Sequence, residues 1–117
     1  MPDSAAHLEK AAANERFLTR VVEDRLSAEW AVTVLFYQAV HLVGAWFGAR
    51  GVHHRSHVRR NQAVAKDLPE IVASYRKLHD LSRAARYGHV ELIGWSDYDD
   101  AAIAFAAVDD HFGSDAR

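Results

Sequence analysis

One stretch of the sequence, residues 30–49 (WAVTVLFYQAVHLVGAWFGA), constrains the fold more than any other, because it contains no Asp, Glu, Lys or Arg. A helix of this length would be about 30 Å long. At helical spacing its apolar residues occupy almost every side, and a helix of this kind is usually buried on nearly all sides. We therefore predict an all-α protein with this stretch as the central helix. Because a short chain can hardly surround such a helix, we also expect a homodimer in which helix 2 and neighbouring helices meet a second subunit.

The same stretch has the length of a membrane span and a Trp near each end. However, Gln38 and His41 lie in the middle of it, where hydrocarbon penalises polar side chains. The first residues contain no apolar run, so they do not predict a secretory signal. We expect a cytoplasmic protein that does not contact a membrane. The absence of cysteine excludes disulfides, thiolate zinc sites and cysteine nucleophiles.

Apolar periodicity and residues typical of helix ends predict one domain, residues 1–117, formed by an up-and-down bundle of four long helices and one short helix. The predicted elements are helix 1 from Ser4 to Glu23 or Asp24, helix 2 from a Ser27 cap to about Arg50, a short helix from His57 to about Lys66, a fourth helix from an Asp67 cap to about Tyr87, and a last helix from a Ser96 cap to Gly113. Residues 88–95 are interpreted as a packed turn, since a single isolated strand would have no partner.

Two features of helix 2 allow more than one interpretation. Gly44 and Gly48 are one turn apart and let another backbone approach closely, either from a second subunit or from within the chain. His41 lies among apolar residues, and a histidine in such a place is usually a hydrogen-bonded core residue.

Charge is distributed unevenly along the chain. Residues 50–90 contain nine Lys or Arg and three acids, whereas residues 91–117 contain seven acids and one Arg. This asymmetry indicates either an anion-binding middle segment or two segments that neutralise each other.

The basic loop, residues 48–61, contains four arginines, three histidines and no acid. Arginine forms forked hydrogen bonds with phosphate, so the loop is a candidate site for RNA or a nucleotide. A solvated loop or a docking surface for the acidic last helix are the alternatives. His53, His54 and His57 have spacings that can bind zinc, but no carboxylate or cysteine lies nearby in the sequence. We therefore expect no metal and no cofactor.

A second basic group lies near the end of the fourth helix, where Arg83 and Arg86 are three residues apart and His79 precedes Arg83 by one turn. A histidine can act as acid or base near neutral pH, and an arginine can stabilise a pentavalent phosphate. A metal-independent ribonuclease needs little more, because the 2′-hydroxyl of its substrate is the nucleophile. Alternatively, Arg86 and Tyr87 make structural hydrogen bonds at the helix end.

Three motifs together resemble those of HEPN domains. They are FYQAVHLV at residues 36–43, Arg50-Gly51 followed by Arg55-Ser56-His57, and Ser82-Arg83-x-x-Arg86-Tyr87. The resemblance implies a small helical bundle that dimerises. It also implies either a ribonuclease of a prokaryotic toxin–antitoxin or defence system, or a non-catalytic relative that binds RNA.

The resemblance further implies a catalytic Arg a few residues before a His. Five residues separate Arg83 from His89, and six separate Arg50 from His57. We favour the first pair, with Tyr87 between its members, as the catalytic group. The residues expected to bind nucleic-acid phosphate are Arg50, Arg55, His57, Arg59, Arg60 and Arg86. A non-enzymatic dimeric scaffold that binds an antitoxin or another partner protein is the alternative function.

Overall fold

The computed structural model describes residues 4–23, 27–87 and 93–113, and these residues form five α-helices and no strand. The helices are α1 (Ser4–Glu23), α2 (Ala28–Gly48), α3 (His57–Asp67), α4 (Val72–Tyr87) and α5 (Trp95–Phe112). The all-α class and the pattern of four long helices with one short helix are therefore confirmed. Most of the predicted turn at residues 88–95 lies outside the described residues.

The predicted caps of α2 and α3 are confirmed. The Ser27 hydroxyl oxygen accepts a hydrogen bond from the Trp30 N–H at 3.1 Å, and the Ser56 hydroxyl oxygen accepts one from the Arg59 N–H at 3.2 Å. Gly113 follows α5 with φ of 68°, in the left-handed region that favours glycine.

Two predicted helix starts are wrong. The Leu68 N–H donates to the Val64 carbonyl, so Asp67 is the last residue of α3 and does not cap α4. The start of α5 is Trp95 instead of a residue after Ser96, because the Asp97 carboxylate accepts the Gly94 N–H at 2.9 Å. In both cases the residue chosen from the sequence has a good capping side chain. The helix, however, begins at a position that this residue does not cap.

The central position predicted for α2 is confirmed, since 14 of its 21 residues are buried. It packs against α1, α4 and α5, and the core joins residues of α2 such as Phe36 and Val43 to Tyr75 of α4 and Val108 of α5. By length and composition α2 could cross a membrane, but most of its surface is covered inside this helical globule. A single chain therefore surrounds most of α2, and its apolar composition does not by itself require a second subunit.

The two glycines of α2 face α1. A Cβ atom added at Gly44 would lie 2.9 Å from Cε1 of His7, and one added at Gly48 would lie 3.4 Å from the Ser4 hydroxyl oxygen. On the same side, Nδ1 of His41 lies 2.9 Å from Nδ1 of His7. Close packing within the chain thus explains the glycine spacing. His41 is hydrogen-bonded as predicted, but it is half-buried and lines a cavity, so it is not a core residue.

Candidate functional site

Helices α2, α3 and α4 bring two histidines together over one buried phenylalanine. The ring of His79 stacks on Phe36, with centroids 4.9 Å apart and 11° between the planes. His57 lies against the same phenyl ring at 5.5 Å, and the centroids of His57 and His79 are 5.2 Å apart. Phe36 is fully buried, so it provides a fixed apolar floor for both imidazoles.

Hydrogen bonds from α3 hold both rings. Arg60 donates from Nη1 to Nδ1 of His57 at 3.0 Å and from Nη2 to the His54 carbonyl oxygen at 3.2 Å. The Asn61 amide nitrogen donates to Nδ1 of His79 at 3.0 Å. Because a guanidinium only donates, Nδ1 of His57 accepts, and the neutral ring carries its proton on Nε2. Nε2 of each neutral ring is therefore a donor, and the ring can accept a proton on Nδ1 only when the hydrogen bond from Arg60 or Asn61 opens.

Arg86 approaches the same group from the end of α4. Its Nη1 donates to the hydroxyl oxygen of Tyr37 at 2.9 Å, and its Nε donates to the Ser82 carbonyl oxygen at 3.3 Å. The interpretation that Arg86 makes structural hydrogen bonds at the helix end is confirmed. The side chains of His57, His79, Arg60, Arg86 and Tyr37 are called the histidine–arginine cluster below.

Burial and neighbouring charge favour the neutral form of both histidines. Burial lowers the pKa of His57, and Arg60, His79 and Arg86 lower it further. Burial also lowers the pKa of His79, with the charge of Arg83 as the next cause. A neutral imidazole can accept a proton. A bound phosphate would offset the arginine charges and so favour the protonated form of the imidazole. Such a group can therefore both bind phosphate and exchange protons with it.

The residues predicted to bind phosphate separate into two sets. His57, Arg60 and Arg86 belong to the histidine–arginine cluster. Arg50 instead turns back on its own helix, where its guanidinium carbon lies 3.7 Å from the centroid of a Trp46 ring and Nη1 donates to the Trp46 carbonyl oxygen at 2.8 Å. The predicted alternative pair of Arg50 and His57 is therefore not brought together by these contacts.

Arg55 and Arg59, the other two predicted phosphate-binding residues, are exposed. Arg55 lines a cavity of about 390 Å³ with His7, His53 and Arg60, among others. Arg60 thus lines this cavity and also donates to His57 of the cluster. The basic loop therefore contributes Arg60 to the histidine–arginine cluster and shares a cavity with His7 of α1.

The pair favoured from the sequence is only partly described. Arg83 is exposed on α4, one turn after His79, and its charge lowers the pKa of that histidine. Tyr87 is the last residue of α4, and its side chain lies outside the described part of the structure, as does all of His89. The prediction that Arg83, Tyr87 and His89 form a catalytic group stays untested.

Sequence reasoning noted His79 beside Arg83 and Arg86 but did not choose it as a catalytic residue, and it did not select Tyr37 or Asn61. His79, Arg83 and Arg86 follow one another at four- and three-residue steps, which places them on one face of a helix. That spacing was a usable signal. Nothing local in the sequence indicates that this face of α4 meets His57 over Phe36. The contact depends on how α3 packs against α2 and α4 in the folded chain.

Within the described ranges, no group of three or more His, Asp or Glu side chains is arranged to hold a metal ion. His57, which has zinc-like spacing with His53 and His54, packs against Phe36 and His79 instead. Comparisons with models of known protein families, with curated proteins and with solved structures gave no match.

Proposed function

We propose that the protein is a HEPN-like, metal-independent ribonuclease in which the histidine–arginine cluster cleaves a phosphodiester bond of RNA. The observation that supports this proposal is the pairing of His57 and His79, 5.2 Å apart, with Arg60 hydrogen-bonded to His57 and the charge of Arg86 lowering both pKa values. Two histidines supply a base and an acid, and two guanidiniums bind the phosphate and stabilise its extra negative charge. In this proposal His57 moves from a binding role to a catalytic one, and Arg83 adjusts the pKa of His79.

The reaction uses the 2′-hydroxyl of the substrate as the nucleophile. One neutral histidine, released from its hydrogen bond to Arg60 or Asn61, accepts the hydroxyl proton on Nδ1 while the 2′-oxygen forms a bond to phosphorus. The bond from phosphorus to the 5′-oxygen breaks, and the second histidine, in its protonated form, gives a proton to that oxygen. The products are a 2′,3′-cyclic phosphate and a free 5′-hydroxyl, and the two histidines have exchanged protonation states.

The biological setting belongs to the proposal through the HEPN resemblance. It is that of a cytoplasmic homodimer from a toxin–antitoxin or defence system, with RNA as substrate and an antitoxin as a further partner. A second subunit would meet a part of α2 that the chain leaves open, away from Trp30.

The test is cleavage of single-stranded RNA in the presence of EDTA by the wild type and by His57→Ala, His79→Ala and His89→Ala. We expect losses of about 10²- to 10⁴-fold for the first two, which is typical of a removed general acid or base. His111→Ala, at an exposed position near the end of α5, is the matched control. Full activity in both cluster variants contradicts the proposal, and loss in His89→Ala alone restores the pair predicted from the sequence.

The second candidate is a non-enzymatic scaffold whose basic loop binds a partner. The exposure of Arg55 and Arg59 favours it, because their charges are accessible to an acidic surface of a partner. A wild type that does not cleave RNA but loses its partner on Arg55→Gln or Arg59→Gln substitution would support this function.

A further inference from the structure

Trp30 is unusual within α2 because it is 60% exposed, although most residues of this helix are buried. It lines two cavities, one on each side. The smaller, of about 280 Å³, is completed by Glu29, Thr33, Tyr37, Ala85 and Arg86. The larger, of about 430 Å³, also contains Tyr37 and adds Lys10, Phe17 and His41. Trp30 and Tyr37 thus form an aromatic wall between two openings that each carry a basic side chain.

We propose that the smaller cavity binds one nucleobase of single-stranded RNA, with Trp30 as the stacking platform and Glu29 as the acceptor for an amino group of the base. This inference rests on the proposed function, because it supplies the substrate position next to the cleaved phosphate. The volume lies near the lower end of the range for small-molecule pockets, which suits a single base.

Arg86 connects the cavity to the proposed reaction centre. Its side chain lines the cavity and donates to the Tyr37 hydroxyl, and its charge acts on both His57 and His79. A phosphate bound to Arg86 would therefore lie between a base in the cavity and the two histidines. Proteins that bind single strands combine such a cation with an aromatic ring on which a base stacks.

The carboxylate of Glu29 gives the cavity a chemical preference. Carboxylates accept hydrogen bonds from base amino groups such as N4 of cytosine. Uracil has no exocyclic amino group and cannot make this contact. The cavity should therefore prefer amino-bearing bases over uracil.

The test uses short fluorescein-labelled 2′-O-methyl oligonucleotides of each base, whose binding is followed by fluorescence anisotropy. These ligands have no free 2′-hydroxyl, so binding is measured without cleavage.

Trp30→Ala should weaken binding about 5- to 100-fold, the effect typical of losing one stacked base, while Trp30→Phe should keep most of the affinity. Ile103→Ala is the matched control, since Ile103 is 72% exposed on α5 and lines a different cavity, with Lys77 and Asp100. Glu29→Gln should reduce the preference for cytosine over uracil.

Equal affinity of the wild type and Trp30→Ala would overturn the inference. It would also be overturned if Trp30→Ala changed the oligomeric state by light scattering and left binding intact, because Trp30 would then be an interface between copies. If His57→Ala and His79→Ala keep full cleavage while Trp30→Ala weakens binding, the base site stands and the proposed reaction centre fails. If those histidine variants lose cleavage while Trp30→Ala binds normally, only the base site fails.

Discussion

The Nδ1 atoms of His7 and His41 lie 2.9 Å apart and join α1 to α2. One ring must donate and the other accept, so the contact needs at least one neutral histidine. Burial lowers the pKa of His41 to about 4, with the charge of His7 as the next cause. Protonation of both rings at low pH therefore removes a hydrogen bond that joins α1 to α2.

The first prediction concerns stability against pH. An unfolded His41 titrates near pH 6.5, whereas the folded one stays neutral down to about pH 4. The unfolded state thus binds the proton first, and the contribution of His41 is complete above pH 6.5 and is lost as the pH falls from 6.5 to 4. Because His41 is partly exposed, we expect a loss of about 1–2 kcal/mol, less than the full shift would give.

Urea unfolding at several pH values measures this loss. His41→Gln keeps a hydrogen-bonding side chain but does not titrate, so the dependence of its unfolding free energy on pH should be shallower. His111→Gln, at an exposed position, is the control and should follow the wild type. A His41→Gln curve as steep as that of the wild type would contradict the prediction.

The second prediction compares the two glycines that face α1. Gly44→Ala places a methyl group 2.9 Å from the His7 ring, which its bond to His41 holds in place, and we expect destabilisation of about 1–3 kcal/mol. Gly48→Ala meets Ser4 at 3.4 Å, an ordinary contact, and should gain up to about 1 kcal/mol from helix propensity. Thermal unfolding distinguishes them, and equal effects at both positions would show that the His7 contact is not tight.

The third prediction concerns the pH dependence of cleavage. One cluster histidine must be neutral and the other protonated, and both pKa values are lowered, so kcat/KM should be maximal below about pH 6.5. Arg83→Gln removes a charge that lowers the pKa of His79, and it should move part of the profile to higher pH. Arg76→Gln, exposed on the same helix, is the control. A wild-type maximum in the alkaline range would argue against this assignment.

The fourth prediction concerns the hydrogen bond of 2.9 Å between Arg86 and Tyr37. Tyr37→Phe should cost about 0.5–1.5 kcal/mol of stability, the usual net value of one such bond. It should lower kcat/KM less than Arg86→Ala, because the guanidinium remains near the phosphate. A double-mutant cycle measures the coupling, and purely additive effects would mean that the contact does not position Arg86.

Local signals in the sequence predicted most of the helices. The Ser27 and Ser56 caps, the central position of α2 and the ends of α1 and α4 all follow from short-range patterns of polar and apolar residues. The errors at Asp67 and Ser96 also come from local reasoning, because several neighbouring side chains could cap each helix. At α5 the cap is instead Gly94, whose N–H the Asp97 carboxylate accepts.

The candidate site was less predictable, since its members come from three helices. His57 and Arg60 were selected for their place in a basic loop, and Arg86 for its place in a motif, but no pattern indicated that they meet. The floor of the site, Phe36, was assigned only to the apolar helix. The pairing of His57 with His79 therefore depends on long-range packing, which local patterns in a single sequence do not predict.

The short helix α3 supplies His57, Arg60 and Asn61, yet Val64 is its only buried residue. Segments with little buried apolar surface open at a lower free energy than the whole fold. Opening of α3 would carry His57 away from His79 while α2, α4 and α5 keep their common core. The pairing of His57 with His79 would then be lost without unfolding of the core, and a partner bound to α3 would control the proposed cleavage by holding this helix in place.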